Sequence, residues 1–570
     1  MLDFSTRMQW LVVVAVAAAV RGEPEYERYA ADISQQQLPL VVSDNGTDGN
    51  GCHFVCESLA GSPGDDLQVY QHGAIPDSFT TSFYAVQQRE LVPLCVAEPR
   101  TAAGVSAVVQ AVTKHRCPFA IKSGGHSNAP GTNAQQGGLV IDLRSLDQVD
   151  VSDDNATVAI GPGNLWGSVY QRLEPRGLVV AGGRVDSVGV GGFTLGGGIS
   201  FLSRQYGWAV DNVRNFEVVL PNGTVTNANP ENNPDLYFAL RGGGSSFGIV
   251  TRFDFEALAL NKTFWGGSDV NVLAGMGATR KRLAIQDRRE WSFRAAVFAL
   301  IRLLHRGLDL FGYGTTLDNL ASGFASLAHE QQMDAAAAAY LFFSYLPDLR
   351  TYVAGSTYVY SQNTEEPAAL QPLTGVPHLY TTRRLRTLSD LTLEVTEMNP
   401  MDQRQHWRTT TFKADPALIA QFGEIFLQES APMRYAVPDA LQSTNVQLLT
   451  KHEIALSQRN GGNAFGLKPE DGPFVFLVTT TAYKHAKDDE VVRVASERIH
   501  ERIKAVGKEM GLYHPFIYPN YAAVGQDVFA GFAPENLARL LEIQSRYDPG
   551  RVFANLQPGH LTLNDNRLKQ

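Results

Sequence analysis

Cysteine is scarce in this chain: there are four in 570 residues, none beyond position 117. Cys52-x-x-x-Cys56 has only His53 beside it, so the spacing is not that of a zinc module and no metal site is expected. No G-x-x-x-x-G-K-[ST] run occurs, which excludes the P-loop nucleotide enzymes. No G-x-G-x-x-G set joins a strand to the helix of a βαβ unit, which excludes the doubly wound dinucleotide fold. Single-sign charge blocks are missing too, and the net charge is −10, which argues against nucleic acid as the main partner. There is no internal repeat and no long low-complexity linker. The apolar run Met8–Val20, MQWLVVVAVAAAV, stands behind Arg7 and is too short to span a bilayer comfortably. It reads as a secretory signal peptide over 1–22, with a membrane anchor or a buried helix as the alternative. In a secreted chain the four cysteines form two disulfides, with three pairings open. Asn45, Asn155, Asn222 and Asn261 are then candidate glycosylation sites.

Glycine is abundant, 52 residues in all, and it is clustered. The stretch Gly182–Gly198, GGRVDSVGVGGFTLGGG, carries eight glycines and no proline. So much backbone freedom suits a chain held close to something flat or phosphorylated. Three other turns share this character. Cys117–Ser127, CPFAIKSGGHS, reads as a strand feeding an amide-rich turn, with Ser123 and Ser127 as hydroxyl donors. IGPGNLW at Ile160–Trp166 is a tight turn after the strand-like TVAI. LRGGGSSFGIVTR at Leu240–Arg252 is a glycine turn entering a β-branched strand.

Elsewhere the pattern predicts helices at Val105–Lys114, around SVYQRLEPRG with Gly177 as its cap, at Ala417–Gln428 and at Asp489–Met510. Strands are expected at Tyr340–Tyr345, Tyr352–Tyr360, Leu391–Val395 and Val475–Tyr483, and a helix-prone stretch at Ala335–Ala339. Asn222 falls in a hairpin turn between Val218–Leu220 and Val225. A basic amphipathic run within 276–310 reads as a lid, a solvated helix, a membrane-surface helix or the translation of an unspliced segment.

In order and spacing, SGGHS, IDL at Ile141–Leu143, IGPGNLW, VGVGG at Val188–Gly192, LGGG at Leu195–Gly198 and DNV at Asp211–Val213 make one set. VVLPNG at Val218–Gly223, DLYFALRGGG at Asp235–Gly244, FGIVTRF at Phe247–Phe253 and YPNY at Tyr518–Tyr521 extend it, with Glu535–Phe553 closing the chain. The set resembles the berberine bridge enzyme-like family of FAD-linked oxidases, in the vanillyl-alcohol oxidase superfamily. The resemblance implies an α+β fold: a two-part PCMH-type FAD-binding domain with an inserted α+β substrate domain. It implies an N-terminal segment at 23–90 with disulfides, the FAD-binding domain at 91–260 and the substrate domain at 261–510. A segment at 511–560 then returns to the FAD domain. It also implies that the N-terminal segment is tied to the region before SGGHS.

FAD is the implied cofactor, attached covalently through His126 to its C8 methyl. Ser123, Gly124, Gly125, Ser127, Gly161, Gly163, Gly183, Val188, Gly191, Gly192, Thr194, Gly197, Asp211, Asn212, Ile249 and Asn520 are the other implied binding residues. Many relatives add a second tether through cysteine, and here that position is Val185. Where many relatives place a histidine near flavin N1, this chain has Phe193, leaving backbone amides or Arg184 to meet the charge of reduced flavin. Val188 matches the position that governs oxygen access. Tyr521 and Tyr518 are the candidate catalytic residues or else aromatic pocket walls. Glu394, Glu397, His406, Tyr435 and Glu453 are candidate bases on strands of the substrate domain.

The leading expectation is a secreted, monomeric oxidase that takes a hydride from a small organic substrate, an alcohol or activated C–H, and reduces dioxygen to hydrogen peroxide. A carbohydrate oxidase is the alternative, and it expects the missing cysteine tether. A flavin-retaining cyclase with little net redox and a ligand-binding glycoprotein complete the field.

Overall fold

The computed structural model describes residues 50–61, 64–260, 263–272, 316–328, 334–557 and 562–563. The signal segment, Asn45, Asn261 and the basic run at 276–310 lie outside the described residues. Among the described residues no helix is long and apolar enough to cross a membrane.

Two small sheets carry the glycine turns. The first runs in the order Leu67–Gln71, Cys95–Pro99, Leu139–Asp142, Phe119–Lys122, with the last three strands parallel. Its apolar strands are buried against the helix Ala102–His115, which presents Val105, Val108, Val109 and Val112 at the helical period. Thr101 caps that helix by accepting from the Gly104 N–H, and Arg116 ends it in the left-handed conformation. Cys52–Cys117 and Cys56–Cys95 then staple the helix Asn50–Ala60 to this layer, which settles the pairing. The second sheet is antiparallel, in the order Val149–Val151, Thr157–Ile160, Ile249–Glu256, Val213–Val219, Val225–Ala228. Asn222 sits exposed in the turn between the last two strands, beside Gly223 at φ 85°.

The third sheet has nine antiparallel strands. Its centre is Thr351–Tyr360, Ala337–Leu346, Leu441–Leu449, Phe474–Tyr483 and Arg404–Lys413. The helices Thr316–Ser326, Pro416–Ser430 and Asp489–Glu509 cover one face. The C-terminal segment passes through Tyr518–Tyr521 and the helix Pro534–Tyr547 and reaches Phe553, whose ring packs edge-on against Phe119 of the first sheet. The mixed α+β architecture expected from the resemblance is therefore present.

Two local expectations need correction. Ala335–Ala339 is not helical: Ala337–Leu346 is a strand clasped on both sides by partners, and that pairing overrides the helix propensity of alanine. Leu391–Val395 is not a strand but lies in the helix Leu388–Glu397, started by Thr387, whose hydroxyl accepts from the Asp390 N–H. Leu388, Leu391 and Val395 make the buried stripe of that helix, and the apparent alternation was one turn of its period.

Candidate active site

The strand Phe119–Lys122 delivers its chain into the turn Ser123–Ser127 at the edge of a cavity of about 300 Å³. Lys122 anchors the turn from below. Its ammonium is buried 3.3 Å from Asp142 and lies over the rings of Phe79 and Phe83. Burial holds its pKa below the ordinary lysine value against the pull of Asp142. Gly125 takes φ 67°, and a Cβ on Gly124 would sit 2.5 Å from the Gly189 nitrogen. The SGGHS turn and the Gly182–Gly198 stretch thus meet backbone to backbone, which only glycine permits. Ser123 Oγ joins them, donating to the Pro162 carbonyl and accepting from the Gly191 N–H.

His126 faces this cavity. Its ring stacks on Tyr84, with centroids 4.0 Å apart and planes 10° from parallel, and Trp407 stands edge-on to it. Nε2 is buried with no hydrogen-bond partner. Burial pushes the imidazole down to about 4, so it is neutral near pH 7 and keeps a lone pair. The stretch Val190–Leu195 winds into a short helix beside it. Val185, Val188, Gly191 and Gly192 line the cavity, and a Cβ on Gly192 would meet nothing within 4 Å. Gly124, Gly125, Ser127, Ile249 and Asn520 complete the expected residues that reach the lining.

The opposite wall is the nine-stranded sheet. Tyr340 pairs with Gln447, Asn445 with Val478 and Trp407 with Thr480, and all six line the cavity. Tyr521 stands where the two walls meet. Arg184 Nη2 donates to its hydroxyl oxygen at 2.5 Å and to Gln447 Oε1 at 3.0 Å, and the Tyr521 hydroxyl lies 3.1 Å from the same Gln447 oxygen. Gln447 Nε2 donates back to that hydroxyl at 3.0 Å, so the phenol is held in one orientation beside the cation.

Tyr518 lines the cavity but its hydroxyl is committed elsewhere. It accepts from the N–H groups of Gly198 and Ile199 at 3.0 and 3.1 Å and from Asn520 Nδ2 at 3.1 Å. Its ring is fully buried against Phe476 and Trp208. Burial holds the phenol well above its ordinary pKa. The residue ties the glycine stretch to the C-terminal segment.

Seven of the expected binding residues lie behind the lining. Cβ atoms on Gly161 and Gly163 would strike the carbonyls of Leu146 and Leu143 at 2.1 and 2.3 Å, so these glycines serve the packing of one turn on another. Gly183 backs onto Trp166, and its carbonyl accepts from Tyr170. Thr194 donates to the Val190 carbonyl within its helix. Gly197 abuts Trp208 and Phe465. Asp211 accepts from the Trp208 N–H and pairs with buried Arg241 at 3.5 Å, and Asn212 donates to the Tyr206 and Trp208 carbonyls.

The candidate bases are not brought to the cavity either. Glu394 and Glu397 sit on the helix Leu388–Glu397, where Glu394 binds Arg386. Glu453 closes a capping box with Thr450 at the start of the helix Lys451–Leu456. Tyr435 is exposed on the short helix Met433–Ala436. His406 is on a strand as expected, but one residue before Trp407, and so on the face turned from the cavity. Sequence reasoning missed Tyr340, Trp407, Asn445 and Gln447. The available signal was Leu441–Leu449, LQSTNVQLL, a strand too polar for the centre of a sheet unless one face meets a cavity.

The geometry defines a cavity with glycine turns on one side and a sheet rich in polar and aromatic side chains on the other. A family model described as an FAD binding domain matches residues 93–229. The FAD-dependent monooxygenase tpcD of Cochliobolus heterostrophus is 33% identical over 561 residues, covering 94% of this chain and 98% of its own. The FAD-dependent monooxygenase prx3 of Penicillium roqueforti is 32% identical, covering 84% and 87%. Among solved structures, a BBE-like protein of Physcomitrella patens superposes with a TM-score of 0.67 at 18% identity, covering 89% of this chain and 99% of the other. A variant of berberine bridge enzyme in complex with (S)-reticuline superposes at 0.65 and 15% identity, covering 88% and 97%. The chain belongs to the berberine bridge enzyme-like family of FAD-linked oxidoreductases, within the vanillyl-alcohol oxidase superfamily. Its residues fit FAD. The open face at Gly192 and the amide-rich SGGHS turn offer room and anion-binding N–H groups, with the unpartnered His126 nitrogen beside them.

Proposed function

We propose that the protein is a secreted FAD-dependent oxidase of a small organic substrate, with His126 as its single covalent attachment to the cofactor and Tyr521 as the group that orients the reacting hydroxyl. Bound FAD would supply the two-electron chemistry, accepting a hydride and passing the electrons to dioxygen to give hydrogen peroxide. The observation that carries the reading is the Arg184–Tyr521–Gln447 set, fixed between the glycine turns and the substrate sheet. Val185, in place of a cysteine, leaves one tether only. Small Val188 at the lining leaves the approach of dioxygen unblocked. The two disulfides support folding in an oxidising compartment.

Relatives named monooxygenases favour a second reading, in which an oxygen atom is retained in the product. The stoichiometry decides: an oxidase yields one peroxide per substrate turned over and no label in the product under ¹⁸O₂. Attachment is tested by acid precipitation. Flavin should stay with the wild-type protein and be fully extracted from His126→Ala, and a flavin peptide from the Val185 region would refute the single tether.

A further inference from the structure

Arg184 is the only charged side chain lining the cavity among the described residues, and no aspartate, glutamate or lysine accompanies it. Its guanidinium is turned toward the substrate sheet. Nη2 serves Gln447 and Tyr521, and the cation lies 5.4 Å from the centre of the Tyr340 ring. Among the described residues no carboxylate comes within ion-pair distance of it, and no protein acceptor takes Nε or Nη1. Glu453 lines a small adjoining pocket with Arg184 but is engaged by Thr450 in a capping box, so the cavity side of the guanidinium is left to meet an anion. The planar fork of arginine suits a carboxylate or an ionised phenol or enol better than a point charge does. Around it the polar groups are neutral, Asn445, Gln447 and Thr480, while Tyr340 and Trp407 offer flat apolar surfaces.

We propose that Arg184 docks an anionic oxygen of the substrate, so that the site selects flat, conjugated acids in their ionised form over neutral counterparts of the same shape. The proposal rests on the reading of this cavity as the substrate site of an FAD-dependent enzyme. The competing role for Arg184, meeting negative charge on reduced flavin, places its effect on the cofactor instead.

The probes are 1-naphthoate and 1-naphthamide, matched in shape and differing in charge, titrated into purified FAD-loaded protein and followed by the visible absorbance of the flavin. Wild type should bind the naphthoate about 10- to 100-fold more tightly than the amide, the scale of one charged hydrogen-bonded pair. Arg184→Gln should erase the preference, and Arg184→Lys should restore part of it. Equal binding of the two probes by wild type overturns the proposal, as does a preference that survives in Arg184→Gln or the absence of naphthoate binding. A lowered flavin potential in Arg184→Gln, with probe selectivity unchanged, assigns the residue to the cofactor and also overturns it. Failure of the parent reading shows separately, as holoenzyme that forms no peroxide, because selectivity is read from binding alone.

Discussion

On the glycine-turn wall much of the surface offered to the cavity is backbone, interrupted by His126, Arg184 and Phe193. On the sheet wall it is side chains, Tyr340, Trp407, Asn445 and Gln447, standing off strands in paired register. Backbone surfaces recognise what every FAD has in common, a flat ring and a pyrophosphate. Side-chain surfaces can change one residue at a time without disturbing the strands beneath. The first wall therefore suits a group of fixed shape, and the second is the one that substitution can reshape. Arg184 and Tyr521 sit where the two meet, one from each side of the chain's long excursion.

The largest expected effect comes from the junction. Tyr521→Phe keeps the ring and removes the hydroxyl that both Arg184 and Gln447 bind. Turnover should fall about 10²- to 10⁴-fold, the range for loss of a positioned acid–base group. FAD content and thermal midpoint should stay close to wild type. A variant that loses FAD instead would show that Tyr521 serves the glycine wall rather than the substrate.

The two walls also differ in how far they could be read in advance. The strands leading into SGGHS and IGPGNLW, the helix that Gly177 caps and the turn at Asn222 were legible because glycine and β-branched residues act locally. Motif membership did not separate cavity-facing residues from those one layer behind: Thr194 stands in the same glycine stretch as Val188 and Gly192, and Asp211 in the DNV motif, yet both bond inward. The sheet wall was hidden because its residues come from four strands distant in sequence, joined only by register. Charge was a poor guide there. Glu394 is held by arginine and Glu453 by a helix cap, Glu397 is exposed, and it is uncharged Gln447 that bonds Tyr521 at the cavity. Leu391–Val395 and Ala335–Ala339 failed for a related reason, since five-residue windows carry too little periodicity to outweigh tertiary pairing.

Two histidines sharpen the contrast at a smaller scale. His126 and His406 each have a buried Nε2 without a partner, one facing the cavity and one on the far face of the sheet. Burial, reinforced by Arg408 and Arg493, takes His406 down to about 3, against an ordinary value of 6.5. The folded protein therefore keeps His406 neutral where the unfolded chain takes up a proton. Its contribution is whole above pH 6.5 and is lost as pH falls toward 3. His406→Gln should flatten the acid limb of the stability curve by about 2–4 kcal/mol, measured by denaturant unfolding between these limits, and leave flavin attachment untouched. An unchanged acid limb would mean that the ring is already protonated in the fold.

The smallest expected change separates two tyrosines three residues apart. Tyr518→Phe leaves the Gly198 and Ile199 N–H groups without their acceptor in a buried site, and Asn520 loses one partner while keeping its bond to the Phe193 carbonyl. An unsatisfied buried donor costs about 1–3 kcal/mol, and the loss should fall on the joint between the glycine stretch and the C-terminal segment. Thermal melting of the FAD-loaded protein should drop by a few degrees, as expected for a chain of this size. Amide exchange should quicken at Gly198 and Ile199 before it does so elsewhere. Turnover per bound FAD should fall far less than in Tyr521→Phe, because the Tyr518 hydroxyl is bound to the glycine stretch and stands apart from the Arg184–Gln447 set. If the two phenylalanine variants lose turnover equally while Tyr518→Phe melts like wild type, then Tyr518 acts in the reaction, and its bonds to the glycine stretch do not hold that stretch in place.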